Sequence, residues 1–294
     1  MRRKSGRIAI SFTPILLIFW MFLFTLSFRQ SAWADSGRPL ARIGSRYYLN
    51  MQSAVDEVRD GETIVLLRAV TTGENVQVRN NRSFTIDFAG YLYQSAAPGI
   101  EKNAYTIRNG NVKIRRINMK QTAGAEGDLF DILGAASLTI YNGTLLGSFE
   151  NSGKLIVKDG SFNCKDQFAV IANYGKLTIS GGSFLDQIVS DGKMDIRGGS
   201  ILTEGDTPQI FVRSGSATIR AGVFTSLGPA VNLMISDKGK VTISGGTFKA
   251  PPGVDNVLDE GVLTVTGGKF NSSIDVNSDY NPVIRGVPVR VVYG

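Results

Sequence analysis

A ten-residue phrase, Gly-x-Leu-x-Ile-x-x-Gly-x-Phe, recurs along the second half of this chain and leaves few architectures open. Copies begin at Gly153 (GKLIVKDGSF), Gly175 (GKLTISGGSF), Gly192 (GKMDIRGGSI), Gly215 (GSATIRAGVF), Gly239 (GKVTISGGTF) and Gly261 (GVLTVTGGKF), with a weaker copy at Ala136 (ASLTIYNGTL). Successive copies are separated by 17, 22, 17, 23, 24 and 22 residues. Within each copy the apolar residues fall at every second position, as in Leu177 and Ile179 or Val241 and Ile243, which is the period of a strand with one buried face. A unit this short cannot bury that face alone, so the copies are expected to stack into a solenoid.

The charge is unevenly distributed. Arg2, Arg3, Lys4, Arg7 and Arg29 precede the first acid, Asp35, and without them 27 basic residues face 25 acidic ones. A nucleic-acid partner inferred from the overall charge of +7 therefore has no support, and the near-neutral remainder gives no electrostatic sign of an anionic partner. Residues 8–28 form an uncharged apolar run after a basic start, and Ala32-Trp33-Ala34 supplies small residues where a signal peptidase reads. The expectation is export, with residues 1–34 as signal peptide and 35–41 as linker; left uncut, the run is long enough to be a membrane anchor. Cys164 is the only cysteine, which excludes an intramolecular disulfide and reads as a small core residue.

Asn50 followed by MQSAVDEVRDG has the N-cap and apolar spacing of a short helix ending at Gly61, and Thr63–Leu67 follows as a strand. Such a helix, set before the first strand, can cover the open end of a stack. Residues 83–93 and 105–120 read as early, less regular turns of the solenoid, and Pro282 and Pro288 interrupt the last strands.

The run YYLNMQSAVDEVRDGETIVLL, then FTIDFAGYLYQ, then the LTISGGTF units, closed by GGKFNSSIDVNSDY, resembles the pectate-lyase-like β-helix domains of bacterial surface and secreted proteins, including those called adhesive. The resemblance implies an all-β fold, a right-handed parallel β-helix with a short N-terminal capping helix, spanning 42–294 as one domain with its repeats strongest at 136–270. It specifies shape more than chemistry, because one fold carries many functions. The unequal repeat gaps also favour a right-handed helix with variable turns.

Stacking the copies predicts three inward columns. One runs through Leu138, Leu155, Leu177, Met194, Ala217, Val241 and Leu263; the second through Ile140, Val157, Ile179, Ile196, Ile219, Ile243 and Val265; the third through Leu145, Phe162, Phe184, Ile201, Phe224, Phe248 and Phe270. Function must then sit outward. Thr139, Ile156, Thr178, Asp195, Thr218, Thr242 and Thr264 form one outward row, and Tyr141, Lys158, Ser180, Arg197, Arg220, Ser244 and Thr266 another. From these, Tyr141, Lys158, Thr178, Arg197, Arg220 and Thr242 are the candidate binding residues for a polysaccharide or cell-wall surface.

An active site is harder to find. The absence of histidine excludes a Ser/His/Asp triad and histidine-ligated metals. No Asp-Asp pair of the kind used by polygalacturonase-type hydrolases occurs. The resemblance implies, for a lyase, calcium-binding acids on neighbouring turns and a proton-abstracting arginine; Arg197 and Arg220 are the only arginines set on adjacent turns at equivalent outward positions. The acids Asp128 with Asp131, and Asp255 with Asp259 and Glu260, read as solvated residues of inter-strand turns. No catalytic residue, metal ligand or cofactor is assigned. The expected function is an exported, non-catalytic adhesive or structural module, and the alternative is a polysaccharide lyase or hydrolase built from Asp and Arg on adjacent turns.

Overall fold

The computed structural model describes residues 37–96, 103–122, 127–164 and 169–293, and Leu40–Gly294 forms one compact unit. The expected signal segment lies outside the described residues. Among the described residues no helix is long and apolar enough to cross a membrane.

The unit is nearly all strand, and the strands fall into three parallel stacks. The first contains the repeat strands Ser137–Ile140, Lys154–Val157, Lys176–Ile179, Lys193–Ile196 and Ser216–Ile219, each hydrogen-bonded in register to the next. It continues through Lys240–Ile243 and Val262–Val265 and is preceded by Thr63–Leu66, Ser83–Asp87 and Asn111–Arg115. The second runs from Val70–Thr72 through Tyr93–Ser95, Ile117–Gln121, Gly143–Leu146, Ser161–Asn163, Ser183–Leu185, Ser200–Thr203 and Val223–Ser226. Two long strands, Lys240–Lys249 and Val262–Phe270, cross from the first stack into the second and join them into one 21-stranded sheet. The third stack is a separate sheet of 11 short strands, from Val76–Val78 to Val291–Tyr293. Each pass of the chain before the last thus contributes to all three stacks, a β-helix-like solenoid; the last, Val283–Ile284 and Val291–Tyr293, contributes to the first and third.

The inward columns fill the interior as the repeat requires. Leu138 through Leu263 and Ile140 through Val265 are buried at successive registers. Phe162 stacks on Phe184, and Phe224 on Phe248 on Phe270, at ring-centroid separations of 4.7 Å, the spacing of neighbouring strands. Ahead of each aromatic residue the second glycine of the motif holds a positive φ, as at Gly182 (97°) and Gly246 (105°), which turns the chain from first stack to second.

Two corners are held by buried side-chain amides. Asn151 Nδ2 donates to Asn173 Oδ1 (2.6 Å) and to the Lys176 carbonyl (3.1 Å). Asn173 Nδ2 donates in turn to Ser190 Oγ (2.9 Å) and to the Lys193 carbonyl (3.4 Å). At another corner Asn232 Nδ2 donates to Gln209 Oε1 (3.0 Å), and Asn256 Nδ2 to Asn232 Oδ1 (2.8 Å). These amides link one turn to the next inside the core through side-chain and backbone acceptors.

The N-terminal end carries more than the predicted helix. The helix is Met51–Glu57, with Asn50 Oδ1 accepting from the Ser53 amide at 2.8 Å; it stops at Val58, whose extended backbone ends it before Gly61. Its Gln52 side chain both accepts from the Gln77 amide (2.7 Å) and donates to the Gln77 carbonyl (3.0 Å), standing in for the strand missing beside Val76–Val78. The edge of the first stack is covered by a hairpin, Ala41–Ile43 with Arg46–Tyr48, whose first strand pairs antiparallel with Thr63–Leu66. At the other end Val291–Tyr293 pairs with Ile274–Val276, and among the described residues with no second strand.

Candidate functional site: the outer face of the first stack

In a strand such as Lys154-Leu155-Ile156-Val157, followed by Lys158, residues one, three and five point outward. Stacking in register therefore draws three columns on the outer face of the first stack. The middle one is the predicted row, Thr139, Ile156, Thr178, Asp195, Thr218, Thr242 and Thr264. The second predicted row is continuous as far as Arg220: the amides of Tyr141, Lys158, Ser180, Arg197 and Arg220 donate to Ile114, Ile140, Val157, Ile179 and Ile196 of the preceding turn, each at 2.8 or 2.9 Å; beyond it the register shifts, and Ser244 pairs with Gly267 instead of Thr266. The structure thus gathers Tyr141, Lys158, Thr178, Arg197, Arg220 and Thr242 onto one face, and Tyr141 is exposed.

Arg197 and Arg220 are side by side and share one partner. Asp195 accepts from Arg197 Nε at 2.8 Å and from Arg220 Nε at 3.0 Å. A lyase would need a free arginine facing the substrate; here both guanidinium groups are already engaged by a carboxylate of the same face. Arg115 is likewise tied, at 2.7 Å, to Asp87, which is 1% exposed. Burial works to raise the Asp87 carboxyl, but the Arg116 hydrogen bond, the Ala89 amide and the two guanidinium charges outweigh it and hold it below its ordinary range.

A third column went unread in the sequence. The variable residue after the first glycine of the motif is lysine in four of the six full copies, and the register aligns Lys154, Lys176 and Lys193 on consecutive turns, with Lys240 one turn beyond Ser216. The amide ladder beneath fixes this column, because Asn151 and Asn173 hold the carbonyls of Lys176 and Lys193. All four lysines are exposed. Between Asn111 and Thr266 the only acid in the three columns is Asp195. The near-neutral composition therefore hides a segregated surface, and the expectation of no electrostatic sign is corrected: one face is basic.

Most acids lie elsewhere; the reading as solvated turn residues holds for Glu260, which is exposed, and is corrected for Asp131 and Asp259, which lie in strands. Asp131 sits in the strand Phe130–Ile132 beside Glu150 of Phe149–Asn151, on the third stack. Burial raises the carboxyls of Asp128, Asp131 and Glu150 above their ordinary range, and nearby carboxylates add to the rise at Asp128 and Glu150. Asp259 ends the strand Val257–Asp259, in the inward column that holds Asn151 and Asn173, and is 1% exposed. Burial pushes its carboxyl up to about 6, against the opposing hydrogen bond from the Gly261 amide. Among the described residues no three His, Cys, Asp or Glu side chains converge as a metal site. A hollow of 250 Å³ beyond the second stack places Asp186 and Glu204 on its wall. Asp186 adopts a φ of 125°, and burial raises its carboxyl. Cys164 is buried, with Sγ 3.9 Å from Asp186 Oδ2.

Comparison with known proteins finds no family, no curated protein and no solved structure that matches this chain. The class defined by fold and face, a β-helix-like solenoid presenting a flat basic sheet, therefore stands on geometry alone.

Proposed function

We propose that this chain is an exported, non-catalytic β-helix that serves as an adhesive or structural surface module, contacting polysaccharide or cell-wall material through the outer face of its first stack. In this reading the solenoid closes as a right-handed β-helix, the hand that connections between parallel strands adopt almost without exception. The observation that carries the reading is the unbroken register of that face: from Asn111 to Val265 successive strands follow without an inserted strand or a change of direction. An extended flat surface suits binding spread along a polymer better than chemistry at one bond. Engagement of Arg197 and Arg220 with Asp195 supports it further.

The second reading, a lyase or hydrolase, is favoured by one feature, the hollow bearing Asp186 and Glu204. One screen separates the two. The full chain is incubated with insoluble neutral and acidic polysaccharides and with wall material, with and without Ca²⁺, and both retained protein and newly released reducing or unsaturated ends are recorded. Retention without release is expected. Release that disappears in Asp186→Asn, or in Arg197→Ala or Arg220→Ala, establishes the enzyme instead.

A further inference from the structure

We propose that the lysine rows on the outer face of the first stack bind a linear polymer of phosphate groups lacking bases, laid along the stacking axis. The inference rests on the reading of this face as the contact surface and adds the chemistry of the partner.

The lysine column is an unfavourable arrangement. Lys154, Lys176 and Lys193 are directly opposite one another on consecutive strands, so their backbones are spaced by about 4.8 Å. Like charges directly opposite across strands destabilise a sheet. Among the described residues no ion pair engages these three, nor Lys113, Lys158 or Lys240. By contrast Arg115, Arg197 and Arg220 on the same face each have a carboxylate. The free positive charge of the face is therefore all ammonium. A polyanion lying along the column would offset the repulsion that the fold leaves uncompensated.

The layout describes the partner. The lysine column and the column of Lys158, Arg197 and Arg220 lie four residues apart along each strand, about 13 Å at the rise of a strand. Between them runs the middle column, Ile156, Thr178, Asp195, Thr218, Thr242 and Thr264, in which four of six residues carry hydroxyls and Asp195 is already paired with Arg197 and Arg220. This is a hydroxyl-floored strip with cationic margins, one chain wide and many turns long. Ammonium groups act as point charges suited to phosphate, whereas planar carboxylates are recognised by the guanidinium fork, which on this face is occupied. Single-stranded nucleic acid would need ring platforms for its bases, and Tyr141 is the only aromatic residue in the three columns.

The test is binding of the full chain to long-chain inorganic polyphosphate, followed across a salt series. Three proteins are compared: the natural sequence, the triple variant Lys154→Gln, Lys176→Gln, Lys193→Gln, and a control with the same charge removed elsewhere, Lys238→Gln, Lys249→Gln, Lys269→Gln. All six positions are exposed, and matching melting temperatures check that each variant folds. The face variant is expected to bind at least tenfold more weakly at low salt, with a log–log salt slope shallower by about two, the value for three lost phosphate contacts on a single strand; the control keeps its affinity. Equal weakening of both variants, no binding by the natural sequence, or equal or tighter binding to single-stranded DNA, polygalacturonate or anionic vesicles overturns the proposal. Retention on wall material separates the two levels. If the natural protein and face variant are retained equally, the adhesive reading stands and this partner falls; if polyphosphate binds through the lysines but no wall material is retained, the adhesive reading falls.

Discussion

Asp259 shows how much one atom can matter in a stack of identical layers. Asn151 and Asn173 occupy its column and are joined amide to amide, but Asp259 presents a carboxylate there, with Oδ2 buried and without a hydrogen-bond donor. Its folded pKa of about 6 lies above the ordinary value of 3.8. Between these values the folded state holds the proton more tightly than the unfolded state, so stability falls as pH rises through that window and is highest below it. Asp259→Asn is expected to raise the urea midpoint at pH 7, by on the order of 2 kcal/mol in free energy, and to change it little at pH 4. An equal gain at both pH values would show that packing, and not the charge, is responsible. Nothing in the sequence distinguished this residue from Glu260, which is exposed; separating them requires knowing that 259 ends an inward-facing strand.

At the scale of the element, the first glycine of the motif is a matter of contact and not of backbone angle at Gly175 and Gly192. A Cβ on Gly192 would lie 2.2 Å from the Gly175 carbonyl oxygen, and one on Gly175 2.2 Å from that of Gly153. The corner therefore passes from turn to turn with no room for a side chain. Gly192→Ala is expected to cost about 2 kcal/mol or more, measured by denaturant unfolding, while Gly205→Ala, which meets nothing within 4 Å, should be nearly neutral. The first and second stacks were legible because their strands carry the repeated phrase and alternate cleanly. The third was not. Its strands are three residues long, and in Ile188–Ser190, Ile210–Val212 and Leu233–Ile235 the outward middle residue, Val189, Phe211 or Met234, is apolar too, so no period of two is visible. The hairpin over the N-terminal end was missed because three-residue strands around a single turn leave almost no pattern. The lysine column sat in plain view as the unspecified letter of the motif, and became a surface only when register set one copy against the next.

For the whole molecule, the two ends of the solenoid are finished differently. The N-terminal edges are closed by the hairpin on the first stack and by the Gln52 amide on the third. The last described strand, Val291–Tyr293, has one strand partner among the described residues, and Tyr293 is 66% exposed. Stability in such a stack is roughly a sum over neighbouring layers, so opening begins where a layer has one neighbour. Native-state hydrogen exchange is expected to reach Val291–Tyr293 first and Ile188–Ser190 last, with Val76–Val78 better protected than its edge position alone would allow. Uniform protection from end to end would instead mean that the solenoid unfolds as one cooperative block.

The repeated glycine corner also makes the fold a ruler. Gly175–Asp191 is one complete turn of 17 residues, bounded by glycines that occupy the same corner. Removing or duplicating such a segment joins equivalent backbone positions and leaves every remaining column in register. The protein can therefore change the length of its basic face in steps of about 4.8 Å without altering its width, its cap or the composition of its core, and reach becomes a property that selection can adjust by counting turns.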